Sequence, residues 1–236
     1  LVRIELAAAY RLVARYGMDD LVQTHISVRH PERPENFLIN PFGMLFGEIT
    51  ASCLLEIDGD GNVVSPGEAP INIAGFVIHS AIHRARPDVA CVMHTHTQAG
   101  IAVSASKSGL LPLSQWAMVF HNRVGYHDYE GVALEIGERE RLAADLGGHH
   151  AMFLRNHGLI TAGRSIAHAF YLMYYLDCAC RVQLSTLAAS RDLVLPDGAT
   201  CKKAARQFWD DPVPMGEREW PALLRDLDRT DIGYRS

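Results

Sequence analysis

No stretch of this chain reaches the roughly 18 consecutive apolar residues that suggest a helical membrane span. Neither charge sign forms a long block, and 22 basic against 27 acidic side chains leave a formal net charge of −5. The basic footprint of a nucleic-acid binder is missing. The five cysteines, Cys53, Cys91, Cys178, Cys180 and Cys201, are odd in number and show no C-x-x-C spacing. That argues against a disulfide framework and reads as buried free thiols in a reducing cytoplasm. The opening LVRIELAAAY lacks a charged leader and a small-residue cleavage site, and Glu5 interrupts it, so it reads as a helix and not as a signal peptide. Repeats, low-complexity blocks and linkers are missing too. The 236 residues, 48% hydrophobic, then suit one domain, 1–236, with 191–236 as a C-terminal tail that packs on the domain or on a neighbouring subunit.

What is present alternates between helical and strand patterns. Apolar residues at helical spacing predict helices over Ile4–Arg15, Ile73–Arg84, Ile101–Ser106, Leu142–Leu146 and, longest, Ser165–Ala188, with the Ser165 side chain placed to cap the first turn. Strand pieces are expected at Thr24–Arg29, Asn36–Ile39, Ser52–Ile57, Asn62–Val64, Val89–His94, Ala151–Leu154 and Leu159–Thr161. A loop is expected over 65–70, and a mixed tail anchored by Trp209 and Trp220 follows Pro196.

The stretch MHTHT, Met93 to Thr97, puts two histidines where a buried strand would otherwise carry aliphatic side chains. Residues two apart on a strand share a face, so His94 and His96 present two imidazoles side by side if the strand continues. Neutral imidazole coordinates divalent cations, and a third nitrogen would complete a catalytic site with an open position. Alone, an H-x-H pair is as well explained by hydrogen-bonded polar residues. His157, in the turn of LRNHGLITAG with Gly158 beside it, is either the third ligand or a hairpin cap. His79 and His83 share one helix face, but Ser80 stands where an H-E-x-x-H protease motif needs glutamate. His149-His150 beside a glycine pair reads as solvated. In VGYHDYEG, His127 and Tyr129 either exchange protons with a substrate or hold a loop together. His25, Asn40 and Lys107 could meet a substrate anion, though spacing alone selects none of them.

The segments THISVR (24–29), FLINPFG (37–43), RARPDVACVMHTHT (84–97) and LRNHGLITAG (154–163) together resemble the class II aldolase/adducin family over roughly residues 5–190. AGFVIHSAIHRARPDV and YHDYEG are similar to its adducin head-domain branch, and the short tail to small bacterial members. The resemblance implies an α/β class fold, a three-layer α/β/α sandwich with a central, mainly antiparallel sheet. It also implies a cytoplasmic homo-oligomer, usually a tetramer, that acts on a small molecule. His94, His96 and His157 match the three histidines that hold a divalent ion, Zn²⁺ first, with Fe²⁺, Mn²⁺ or Co²⁺ also suited to imidazoles.

Departures from the family pattern narrow the substrate. The family's acid/base glutamate lies nineteen residues before the first histidine of H-x-H, and here that position is Gly75. His25, Phe42 and the pair Ile73-Ala74 replace the asparagine and hydroxyl residues of the phosphate cradle. A phosphate dianion there would lose charge-assisted hydrogen bonds and meet apolar surface. The expectation is therefore a metal-dependent carbon–carbon lyase, of aldolase or decarboxylase type, on a non-phosphorylated carbonyl or carboxylate compound. His127, Tyr129 and His25 are its candidate proton-handling residues, and Arg29, Asn40, Gly43 and Lys107 its candidate substrate contacts. The alternatives are a non-catalytic adducin-like scaffold and a non-haem iron oxygenase on the same fold.

Overall fold

The computed structural model describes residues 1–65, 69–132 and 137–236, so part of the loop expected over 65–70 lies outside the described residues. Among them run α1 (Val2–Arg15), β1 (His25–Arg29), β2 (Phe37–Ile39), β3 (Leu55–Ile57), α2 (Ile73–Ala85), β4 (Cys91–Thr95), α3 (Gln98–Ser104), α4 (Gln115–Met118), β5 (Gly125–His127), α5 (Glu138–Leu146), β6 (Ala151–Leu154), β7 (Gly158–Gly163) and α6 (Ile166–Ala189). Two further helices, α7 (Gly198–Trp209) and α8 (Trp220–Thr230), follow. The strands form one sheet in the order β3-β2-β1-β4-β7-β6-β5. Every pairing is antiparallel except β5 with β6.

Alternation along the strands sorts side chains into two cores, and that makes the three layers. Ile26, Val28, Cys91, Met93, Phe153 and Leu159 join α1 and α6 on one face. Val92, Met152, Leu154, Ile160 and Ala162 join Ile78 and Ile82 of α2 and Leu142 and Leu146 of α5 on the other. His25 and Ser27 on β1 and His94 on β4 therefore point to the α2 side. No helix among the described residues is long and apolar enough to cross a membrane. All five cysteines are free, with Cys91, Cys180 and Cys201 buried.

Local signals explain the agreement and the differences. Asn72, Ser165 and Asp197 cap α2, α6 and α7 by accepting from Gly75, His168 and Thr200 backbone N–H groups. The strand expected at Asn62–Val64 is only an isolated bridge from Val63 to Ile57. β5 was not expected: its three residues Gly125–His127 carry no aliphatic side chain, and its Tyr126 ring stacks on Phe153 of the neighbouring strand. The tail forms two helices where a mixed segment was expected. Its Trp209 Nε1 donates to Val119 O at 2.8 Å, Arg11 pairs with Asp231 at 2.9 Å, and Tyr234 is fully buried. His150 is not solvated: it is buried, donates to Ala162 O and stacks on Trp209. That tail helix supplies the cover that the flanking glycines gave no hint of.

Candidate metal centre

His94 ends the α2-facing row of β4, and His96 continues that parity just past the strand. His157 reaches them from the β6–β7 turn. Asn156 takes a left-handed φ of 58°, and His157 N–H closes on Leu154 O at 3.1 Å. The His96 Nε2 lies 2.8 Å from His94 Nε2 and 2.9 Å from His157 Nε2. Those three residues form a group among the described residues that could hold a metal ion. Gly158 makes the approach feasible: a Cβ there would run into Thr95 O and lie 3.1 Å from the His96 ring and 3.3 Å from that of His94. Gly158→Ala should therefore cost about 1–3 kcal/mol in urea unfolding, since the obstacle is backbone and cannot swing aside. A variant as stable as the parent would mean that β7 can shift without penalty.

Hydrogen bonds decide which nitrogens face inward. Leu159 O can only accept, so the His94 Nδ1 3.0 Å away carries the proton. The Asp20 carboxylate, 2.9 Å from His96 Nδ1, does the same for that ring. Both Nε2 atoms are left as lone pairs facing one another at 2.8 Å. Such an arrangement is repulsive in a neutral protein and becomes favourable only with a positive charge among the nitrogens. A proton on His94 or His157 is a poor candidate for that charge. Burial, reinforced by His96, pushes His94 well below the ordinary histidine value, and burial with the same neighbour takes His157 down to about 4. The donor set fits a divalent cation.

The trio forms the floor of a cleft of about 360 Å³ also lined by Asp20, His25, Phe42, Ile73, Ala74 and Tyr129. At Gly75 a Cβ would meet the His25 ring at 2.6–2.8 Å, so the imidazole of His25 fills the space that a side chain at position 75 would need. Histidine at 25 and glycine at 75 thus share one volume.

The structure brings His25 and Tyr129 of the expected residues to the cleft and leaves the others outside it. His127 is buried, with Nδ1 donating to Asp145 Oδ2 at 2.7 Å and Nε2 3.4 Å from Glu138. Asn40 is buried against the Tyr10 hydroxyl, whose oxygen also accepts from the Asn40 N–H at 3.0 Å. Arg29 is spent on the carbonyls of Pro34 and His83 at 2.6 Å, tying β1 to the end of α2. Gly43, at φ 96°, lines a neighbouring hollow beside Phe42 and Met44, and Lys107 is exposed away from the cleft. Sequence reasoning passed over Asp20, because a loop aspartate 76 positions from its histidine has no local signature. It also passed over Ser27, although Ser27 shares the strand face of His25.

The family model described as Class II Aldolase and Adducin N-terminal domain matches residues 4–184. A Caulobacter vibrioides protein named "Putative aldolase class 2 protein" is 48% identical over 98% of this chain and 91% of its own length. Rat alpha-adducin is 40% identical over 100% of this chain, which spans 34% of the adducin. A crystal structure of an aldolase II superfamily protein from Pseudomonas syringae superposes with a TM-score of 0.94 at 50% identity, covering 100% of this chain and 95% of that one. With the motifs, the sheet order and a match over most of its length, the chain belongs to the class II aldolase and adducin family.

Proposed function

We propose that the protein is a divalent-metal-dependent carbon–carbon lyase, of aldolase or decarboxylase type, that acts on a non-phosphorylated carbonyl or carboxylate compound. The observation that carries this reading is the pair of facing Nε2 lone pairs on His94 and His96, with His157 Nε2 2.9 Å from His96. When bound there, the ion, Zn²⁺ first among candidates, supplies Lewis acidity that polarises a carbonyl or hydroxyl oxygen. His94, His96 and His157 hold it, and Leu159 O and Asp20 orient two of the rings. Phe42, Ile73 and Ala74 make one wall apolar and offer no side-chain donor to a phosphate. Tyr129, 55% exposed in the cleft lining, delivers a proton from solvent to the product carbon in this reading. His25 meets an oxygen of the substrate from the α2 side. A small-molecule substrate, a cytoplasmic setting and a homotetramer belong to the same proposal.

The test pairs metal content with turnover. Protein purified without added cation should carry about one divalent ion per chain. It should also release CO₂ or a carbonyl fragment from non-phosphorylated keto or aromatic acids faster than it cleaves any sugar phosphate. Activity confined to sugar phosphates would overturn the substrate class. The likeness to alpha-adducin favours one other reading, a scaffold without catalysis. Substoichiometric metal together with a tight protein partner would select it.

A further inference from the structure

The rim of the metal cleft is apolar. Among the described residues thirteen large hydrophobic side chains are exposed, and four of them line this one cleft. They are Phe42, Ile73, Tyr129 and Val132, from 37% exposed at Phe42 to 69% at Val132. Exposed apolar side chains scattered singly are ordinary, but four that converge above the histidine trio are not. None of the four is packed into one of the three buried clusters. They come from separate parts of the chain: the loop after β2, the first turn of α2 and the segment after β5.

The polar side chains of the cleft are largely spent on the protein itself. Asp20 is the only carboxylate among the described lining residues, and it is bonded to His96 at 2.9 Å. Asn72 accepts from the Gly75 N–H and donates to Gln23 O, both at 3.3 Å. His25 Nδ1 lies 2.8 Å from His79 Nε2, and Ser27 Oγ joins His79 to His83 behind it. Neither lysine nor arginine is among the described lining residues. What is left is the second nitrogen of His25, the Gln23 amide and the Tyr129 hydroxyl, the last two on exposed residues. A hydroxylated chain entering this cleft would shed water and find few partners. An apolar group and the rim would leave water together, which is favourable.

We infer that the substrate carries an apolar substituent about the size of a phenyl ring, held by Phe42, Ile73, Tyr129 and Val132 while its oxygens face the histidine trio. This rests on the proposed function for the metal-bound head of the substrate and adds what lies at its other end. The cleft of about 360 Å³ is near the small end of ligand pockets, which suits one compact group and not a long chain. Phe42 and Ile73 then set specificity by the surface they cover, and the histidines set only which oxygens bind.

Three hydroxamic acids with one chelating head test this. Acetohydroxamate ends in a methyl group, phenylacetohydroxamate adds a phenyl ring to that carbon, and a third analogue adds a dihydroxyethyl group there. With Zn²⁺-loaded protein, calorimetric titration should find the phenyl compound at least about tenfold tighter than acetohydroxamate, and the dihydroxyethyl compound no tighter. Ile73→Asn and Phe42→Ser should each bring the phenyl and methyl compounds to within about threefold. A hydroxylated chain that outbinds the ring, or a ratio unmoved in both variants, overturns the inference. The ring current also reports where the ring sits. In protein ¹³C-labelled at isoleucine and valine methyls, phenylacetohydroxamate should shift the Ile73 and Val132 signals. With EDTA in place of Zn²⁺, benzyl alcohol at millimolar concentration should shift the same methyls, and their failure to move overturns the inference whatever the ion does. Shifts that follow protein concentration and not the ring would make the rim a contact between copies, and overturn it too. Benzyl alcohol shifts at Ile73 and Val132 with no hydroxamate bound by Zn²⁺-loaded protein would uphold the apolar rim and overturn the metal reading alone.

Discussion

Lowering the pH from 7 to 5 should cost the metal-free protein folding stability, about 2 kcal/mol of it from His83 alone. Burial, with Arg29 as the next cause, holds His83 at about 3 in the folded chain, against an ordinary 6.5. Burial pushes His79 and His25 well below 6.5 as well. Since the folded values are the lower ones, the unfolded chain binds more protons between about 6.5 and 3. Stability is therefore intact above 6.5 and declines as the pH falls toward 3. At pH 5 His83 alone costs about 2 kcal/mol, out of a typical total of about 5–15, and His79 and His25 add to the loss in the same direction. Glu56 works in a lower window. Its hydrogen bonds from Arg33 hold it at about 2, so its contribution is lost only below about 4.5. Urea unfolding at pH 7, 6 and 5 checks the slope. In His83→Phe, whose ring can keep the stacking on Phe37, the slope should become shallower by about 2 kcal/mol between pH 7 and 5. A profile flat down to pH 5 would mean that these imidazoles are hydrated or paired in ways the packing does not suggest.

The same burial explains what could be read from the sequence beforehand. Long elements announced themselves. α1, α2 and α6 lie within a residue or two of their periodic stretches, because each buries a continuous apolar stripe. The metal trio was legible for two different reasons. His94 and His96 share a strand face by parity alone, whereas His157 joins them only through the β6–β7 turn at the end of the strand that pairs with β4, which the family motif supplied and spacing did not. Short or sequence-distant features were not legible. The three residues of β5 carry no period, and Asp20 meets His96 across 76 positions. The His79–His83 pair was visible as a helix face, but its partners His25 and Ser27 sit more than 50 positions away. Arg29 and Asn40 misled for a common physical reason. A guanidinium or amide near a motif resembles a substrate contact until one sees that buried carbonyls and the Tyr10 hydroxyl already satisfy it.

Removing His96 should have opposite consequences with and without metal. With Zn²⁺, His96→Ala deletes one of three ligands. Structural zinc sites of four ligands hold their ion by about 10–16 kcal/mol, or about 3 per ligand, so affinity should fall by two orders of magnitude or more. The loaded protein should lose a matching share of its metal-dependent stabilisation. Asp20→Ala leaves all three ligands and frees only the His96 ring, for which a 10–100-fold loss is expected. Without metal the sign changes. His96 Nε2 sits 2.8 Å from the His94 Nε2 lone pair, so its removal relieves that repulsion. That relief offsets the lost hydrogen bond to Asp20, and the chelator-treated variant should match or exceed the parent to within about 1 kcal/mol. Competition titrations for affinity, and urea unfolding with Zn²⁺ or with EDTA, read the two effects separately. If His96→Ala were equally damaging in both conditions, the three rings would be held together by the fold for packing alone, and a charge between them would have no part in keeping them there.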